Sequence, residues 1–158
     1  MTIEILRIDA GFDRYKELLD VILAAFAFMD GRIDPPSSAH RLTPASLGEK
    51  AAQEIAFAAM DKGRLVGCVF LKPEETSLYI GKLAVHPSVQ GKGIGRLLLA
   101  RAEATARELA LSSLRLETRV ELTENHRLFA AWGFGKTAEN RHAGYDRTTS
   151  IEMCKPLA

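Results

Sequence analysis

The residues that most constrain this chain run from Leu83 to Arg96: Leu-Ala-Val-His-Pro-Ser-Val-Gln-Gly-Lys-Gly-Ile-Gly-Arg. They read as the end of a strand, a tight loop with glycine at 91, 93 and 95, and the start of a helix. The first N–H groups of a helix lack internal partners and sit at the positive end of its dipole. Glycines let a bulky anion approach that backbone and permit positive φ. No Asp or Glu lies between Leu83 and Arg96, whereas Lys92 and Arg96 are cationic. Such a corner suits a diphosphate. The dipole alone contributes about 0.3–1 kcal/mol, so several aligned N–H donors and both cations must act together. A glycine-rich loop can also be nothing more than a turn before a helix.

Two phosphate motifs are excluded by spacing. The Walker pattern needs Gly-Lys followed by Ser or Thr, and here Gly91-Lys92 precedes Gly93. The dinucleotide pattern GxGxxG needs glycine at position 96 or 98, which hold Arg96 and Leu98.

The surrounding elements predict one α/β domain over residues 1–158 with a mainly antiparallel sheet. Residues 3–8 start with strand-like alternation, and residues 12–28 are apolar-rich and free of Gly and Pro, as a helix is. Residues 29–38 are a loop. Thr43-Pro44 opens a short helix to about Ala52, with threonine as cap and proline at its first position. Residues 54–60 and 64–71 form a hairpin around Asp61-Lys62-Gly63, and 78–85 form a further strand. Residues 93–109 are a helix, with Ile94, Leu97, Leu98, Ala102 and Leu109 as its apolar positions. Along 114–120, Leu114, Leu116 and Thr118 face one way and Arg115, Glu117 and Arg119 the other. Thr123 caps a helix that Gly133 stops, and a strand pair occupies parts of 134–139 and 149–154.

Net charge is +1, which gives no basic surface for nucleic acid. Cys68 and Cys154 lie far apart without a CxxC, which fits reduced thiols, no metal site and a cytoplasmic protein. The start carries no basic stretch leading into an apolar run, so no signal peptide is expected. The longest apolar run, Val21 to Met29, is too short to span a bilayer, so no membrane association is expected.

What the loop does match is Gln-x-x-Gly-x-Gly, met by Gln90, Gly93 and Gly95. Preceded by Leu-Ala-Val-His-Pro, it resembles the acetyl-CoA signature of the GNAT superfamily of N-acetyltransferases. The order of elements resembles that family's, and Leu128-Phe129-Ala130-Ala131-Trp132-Gly133-Phe134 is similar to its "LYxxxGF" segment. The likeness is good over residues 54–136 and loose at the ends.

The resemblance implies a splay between the fourth and fifth strands, helices on both faces of the sheet, and acetyl-CoA as co-substrate. Its pantetheine arm would enter the splay and pair with backbone at Leu83, Ala84 and Val85. The Val85 amide would suit an oxyanion. Gln90, Gly91, Lys92, Gly93, Ile94, Gly95 and Arg96 would hold the diphosphate, with Asn125 and Phe129 beside the arm. His86 is within reach of the cofactor or is plain surface. An amine must lose a proton to attack the thioester, which costs a lysine about 4–5 kcal/mol at pH 7 and an α-amine about 1. Glu117 resembles the base of ribosomal-protein alanine acetyltransferases, twelve residues before the position of their acid. The alternative is that Glu117 merely pairs with Arg115 or Arg119. At the acid's position the family usually has tyrosine, and this chain has Phe129. Nor is there an asparagine at Leu122, where the family often has one. Tyr145 is the candidate substitute acid, solvent the other. For the acceptor, Asp30, Asp34, His40 and Arg41 are candidates, and two aspartates would suit a cationic amine.

The resulting expectation is an acetyltransferase acting on a primary amine of a small molecule or peptide. The competing expectation, favoured by Phe129, is a module that binds acetyl-CoA for sensing or assembly with little catalysis. Transfer to a hydroxyl, or from a longer acyl-CoA, is a third. Relatives often pair as homodimers, and the sequence leaves that open.

Overall fold

The computed structural model describes residues 2–158. Seven strands form one sheet in the order β1-β2-β3-β4-β5-β7-β6. They are β1 (Ile3–Arg7), β2 (Ile55–Asp61), β3 (Arg64–Pro73), β4 (Ser77–Val85), β5 (Ser113–Arg119), β6 (Gly135–Asn140) and β7 (Ser150–Pro156). The helices are α1 (Tyr15–Phe26), α2 (Pro44–Gln53), α3 (Ile94–Glu108) and α4 (Thr123–Ala131). This is the order of elements expected from the sequence. Every neighbouring strand pair is antiparallel except β4–β5. Among the described residues no helix is long and apolar enough to cross a membrane.

The sheet divides two apolar layers, and strand alternation sorts residues between them. Phe57 and Ala59 of β2 join one layer with Leu98, Ala102 and Ala106 of α3. Ala56, Ala58 and Met60 join the other, with Leu18 and Ile22 of α1 and Leu47 of α2. With both faces covered, β3 is buried at every position from Leu65 to Leu71. Fully burying one such side chain contributes about 1.5–3 kcal/mol. On β5 the expected alternation holds: Leu114, Leu116 and Thr118 are buried and Glu117 is exposed.

Several local expectations need correction. α1 begins at Tyr15, because the preceding residues turn and Phe12 N–H donates to Asp9 O at 3.0 Å. Leu97 and Leu109 do not belong to the buried stripe of α3; Leu97 is 44% exposed, and Leu109, at the cap position after the helix, is 45% exposed. Leu122, not Thr123, sits at the cap position of α4, and no side chain caps it. Thr43 does cap α2, accepting from Ser46 N–H at 3.0 Å in a reciprocal capping box.

The sheet opens between β4 and β5. Their parallel pairing runs only from Ser77–Ser113 to Tyr79–Arg115. Beyond it β4 continues to Val85 and β5 to Arg119, unpaired with each other. A bulge accompanies the parting: Lys82 has φ +49°, and the register of β4 on β3 shifts between Gly81–Phe70 and Ala84–Cys68. A Cβ on Gly67 would lie 2.8 Å from Ala84 O, so only glycine lets β3 follow β4 closely past the bulge.

Candidate active site

Main-chain geometry defines one side of the gap. His86 N–H donates to Val66 O at 2.8 Å. Bonded and free positions alternate in an antiparallel ladder, so Val85 turns its N–H and C=O away from β3, toward the gap. Gln90 Nε2 donates to Val85 O at 3.2 Å and ties the loop back to the strand end. The Val85 N–H is left facing the space that β5 has vacated.

The loop then turns into α3 through Gly91 (φ +79°) and Gly93 (φ +84°). Gly93 occupies the cap position in the left-handed region, which costs an L-residue about 1–2 kcal/mol. The first helical bond is Leu97 N–H to Gly93 O at 3.1 Å. The N–H groups of Ile94, Gly95 and Arg96 therefore have no partner within the helix. Arg96 lies over the Trp132 ring, 5.7 Å from its centroid, which holds its guanidinium beside the loop. His86 is occupied otherwise: its Nδ1 accepts from Ser88 N–H at 3.1 Å and caps a short 3-10 turn.

Two cavities flank the gap. The loop cavity, about 820 Å³, takes in all the residues expected to hold coenzyme except Lys92: Leu83, Ala84, Val85, Gln90, Gly91, Gly93, Ile94, Gly95, Arg96, Asn125 and Phe129. Lys92 is exposed at the rim of the loop. Phe28 and Leu128, 42% and 44% exposed, line the same cavity and give it an apolar wall. The strand cavity, about 630 Å³, lies on the β5 side. Phe26, Met29, Leu83, Asn125 and Phe129 line both, so the cavities meet where the strands part. Phe129 is held there edge-on to Trp132 and Phe134, with centroid distances of 5.9 and 5.8 Å.

Glu117 lines the strand cavity. Arg115 does not claim it: Arg115 makes a two-pronged contact with Glu74 at 2.9 and 2.8 Å and donates to Glu152 at 3.1 Å. Glu117 Oε2 is only at the edge of that network, 4.0 Å from Arg115. Arg119 donates to the carbonyls of Pro35 and Pro36 at 2.6 and 3.2 Å. Among the described residues Glu117 accepts one direct hydrogen bond, from Asn140 Nδ2 at 2.8 Å.

Tyr145 lies apart from this cluster and lines neither cavity. Its hydroxyl donates to Asp34 Oδ1 at 2.7 Å. That bond, followed by burial, raises its pKa above the usual value. The aspartates expected to receive the acceptor lie away from both cavities. Asp30 pairs with His40 at 2.8 Å, Asp34 with Tyr145 and Arg147, and neither lines a cavity. Of the four acceptor candidates only Arg41 lines the strand cavity. The sequence reading missed Tyr79, Lys82, Asn140, Arg141 and His142, which line it too. Tyr79 and Lys82 had a signal, as residues of the strand beside the expected splay. Asn140, Arg141 and His142 come from the end of β6 and the loop after it, which only folding brings to the gap.

The match to the family model "Acetyltransferase (GNAT) family" spans residues 18–134. The chain belongs to the GNAT family of acetyltransferases. A relative from Azospirillum brasilense called "IAA acetyltransferase" is 32% identical over 150 residues, covering 91% of this chain and 95% of its own. Two solved structures share the fold. The PaiA N-acetyltransferase of Thermoplasma acidophilum in complex with coenzyme A superposes with TM-score 0.80 at 18% identity, covering 99% of this chain and 100% of its own. A GNAT acetyltransferase of Elizabethkingia anophelis with acetyl-CoA bound gives TM-score 0.70 at 21% identity, covering 98% of each chain. As a GNAT enzyme the protein is an acyl-CoA-dependent acetyltransferase with acetyl-CoA as co-substrate. Its described residues fit that donor: an apolar wall for the arm, and partnerless N–H groups with Arg96 for the diphosphate.

Proposed function

We propose that this acetyltransferase moves the acetyl group to a primary amine of a small molecule or peptide, by direct attack within a ternary complex. The coenzyme lies in the loop cavity with its thioester at the wall shared by Leu83, Asn125 and Phe129, and the amine enters from the strand cavity. The observation that carries this reading is the meeting of the two cavities at the parted strands, with Glu117 on the amine's side. Glu117 accepts the amine's proton, directly or through one water, and Asn140 fixes its carboxylate. The Val85 N–H, turned into the gap, stabilises the oxyanion of the tetrahedral intermediate.

Direct attack is favoured over an acyl-enzyme because neither Cys68 nor Cys154 lines either cavity. Burial also pushes the Cys68 thiol up to about 12. The leaving group does not require a dedicated acid. A free thiol has a pKa near 8.5, so departing as thiolate at pH 7 costs only about 2 kcal/mol relative to the thiol. Phe129 carries no proton, and Tyr145 holds its own for Asp34, so we assign Tyr145 to pinning the Asp34 loop and protonation of the thiolate to solvent.

Initial-rate kinetics with acetyl-CoA and an amine panel test the reading. Intersecting double-reciprocal lines are expected. Parallel lines would indicate an acyl-enzyme, and coenzyme binding without turnover of any amine would leave a sensing module.

A further inference from the structure

The charges around the strand cavity are lopsided. Arg41, Lys50, Lys82, Arg119 and Arg141 line it, against one carboxylate, Glu117. Lys50 is neutralised by Glu54 at 2.8 Å. Among the described residues the other four cations make no ion pair, whereas nearby Arg32, Arg115 and Arg147 all do. Arg119 spends two of its donors on the Pro35 and Pro36 carbonyls, which fix its place without cancelling its charge. Lys82 stands on the β4 bulge and donates to Ser38 Oγ at 2.8 Å, so Ser38 and Lys82 form one corner with Arg41. Burial first, then the charges of Lys50 and Arg41, hold the Lys82 pKa below its usual value, outweighing the opposing pull of Glu54.

A second observation points to a ligand. Thr118 lines the same cavity, is 7% exposed, and its Oγ1 has no hydrogen-bond partner. A buried hydroxyl left unpaired is costly, and a small side-chain shift that turned it to a polar ligand in the cavity would relieve it. The coenzyme's diphosphate does not account for these cations, because its loop opens into the other cavity.

Resting on the proposed transfer to an amine, we infer that the acceptor carries an anionic group, carboxylate or phosphate, which Arg41, Lys82 and Ser38 hold while its amine faces Glu117. A guanidinium meets either anion with two parallel hydrogen bonds, and Lys82 adds a point charge. A plain cationic amine would enter a field of its own sign. The apolar part of the lining, Phe26, Met29, Tyr79 and Phe129, gives room for a hydrophobic body between the two polar ends.

Calorimetric titration of the CoA-bound full chain with matched amines tests this. The pairs are phenylalanine against phenethylamine and O-phosphoethanolamine against ethanolamine. The anionic member of at least one pair should bind ten-fold tighter or more, and the pair that shows it identifies the anion. Arg41→Gln and Lys82→Met should each cut that advantage at least three-fold, while the melting-temperature rise given by acetyl-CoA stays as in the parent. Equal or reversed affinity in both pairs, no measurable binding of any member, or an advantage untouched by both variants would overturn the inference. Amide product, read in parallel, judges the transfer reading separately. Preferential binding without product would sink catalysis and leave the anion preference standing.

Discussion

The loop cavity and the strand cavity meet at Leu83, Asn125 and Phe129, yet they are built by different means. The polar part of the loop cavity is main chain: the Val85 amide and the N–H groups opening α3, in a stretch continuous in sequence. Its side chains are mostly apolar filler. The polar part of the strand cavity is side chain, drawn from the 37–41 segment, α2, the β4 bulge, β5 and the β6 end. Main-chain donors are the same whatever the residue, so such a site tolerates substitution except where φ or space demands glycine. A side-chain site changes its ligand with each substitution. A fixed donor and a variable acceptor fit that division.

The largest effect should come from Glu117→Gln, which removes the proposed base and keeps the shape. We expect kcat to fall about 10²–10⁴-fold, with the acetyl-CoA-induced rise in melting temperature unchanged. An unchanged rate would take Glu117 out of the mechanism and erase the functional contrast between the two cavities.

Gly93→Ala attacks the other side. Nothing lies within 4 Å of the added Cβ, so the only penalty is the backbone at φ +84°, about 1–2 kcal/mol in chemical denaturation. Coenzyme binding should weaken while the preference among amines persists. A variant with intact coenzyme affinity would show that side chains, not the loop backbone, hold the diphosphate.

A smaller effect concerns the network under Glu117. The Arg115 guanidinium holds the Glu74 carboxyl below its usual 4.5. A carboxylate with a lowered folded pKa contributes stability above its unfolded pKa and loses it as pH falls through the lowered value. Melting temperature should therefore drop on acidification below about pH 4.5, and Glu74→Gln should flatten that drop. The pair is partly exposed, so its worth near pH 7 is about 0.2–1 kcal/mol. The smallest effect is a labelling difference. Cys154 should react with a thiol alkylator in the native protein, whereas Cys68, 0% exposed and raised to about 12, should react only on unfolding.

The loop half was legible in advance because its chemistry is local. Glycine at 91 and 93 reports positive φ, and the helix that follows reports partnerless N–H groups, all within a few residues of one another. The misreadings are equally specific. Of the five positions read as the apolar stripe of α3, Ile94, Leu98 and Ala102 are buried as expected, whereas Leu97 and Leu109 match it by spacing but stay exposed. Asp30 and Asp34 suggested a cationic acceptor, yet each already has a nearby hydrogen-bonding partner, His40 for Asp30 and Arg147 and Tyr145 for Asp34.

The sequence by itself determined the order of elements, the glycine turn that opens α3 and the strand that carries Glu117, since each follows from periodicity or from the φ that a residue allows. Tertiary structure alone decided that Arg115 belongs to Glu74 and Glu152, that Tyr145 serves Asp34, and that cations without an ion pair among the described residues gather around the strand cavity. Charge pairing acts over a few ångströms between residues far apart in the chain, and sequence spacing holds no record of those distances.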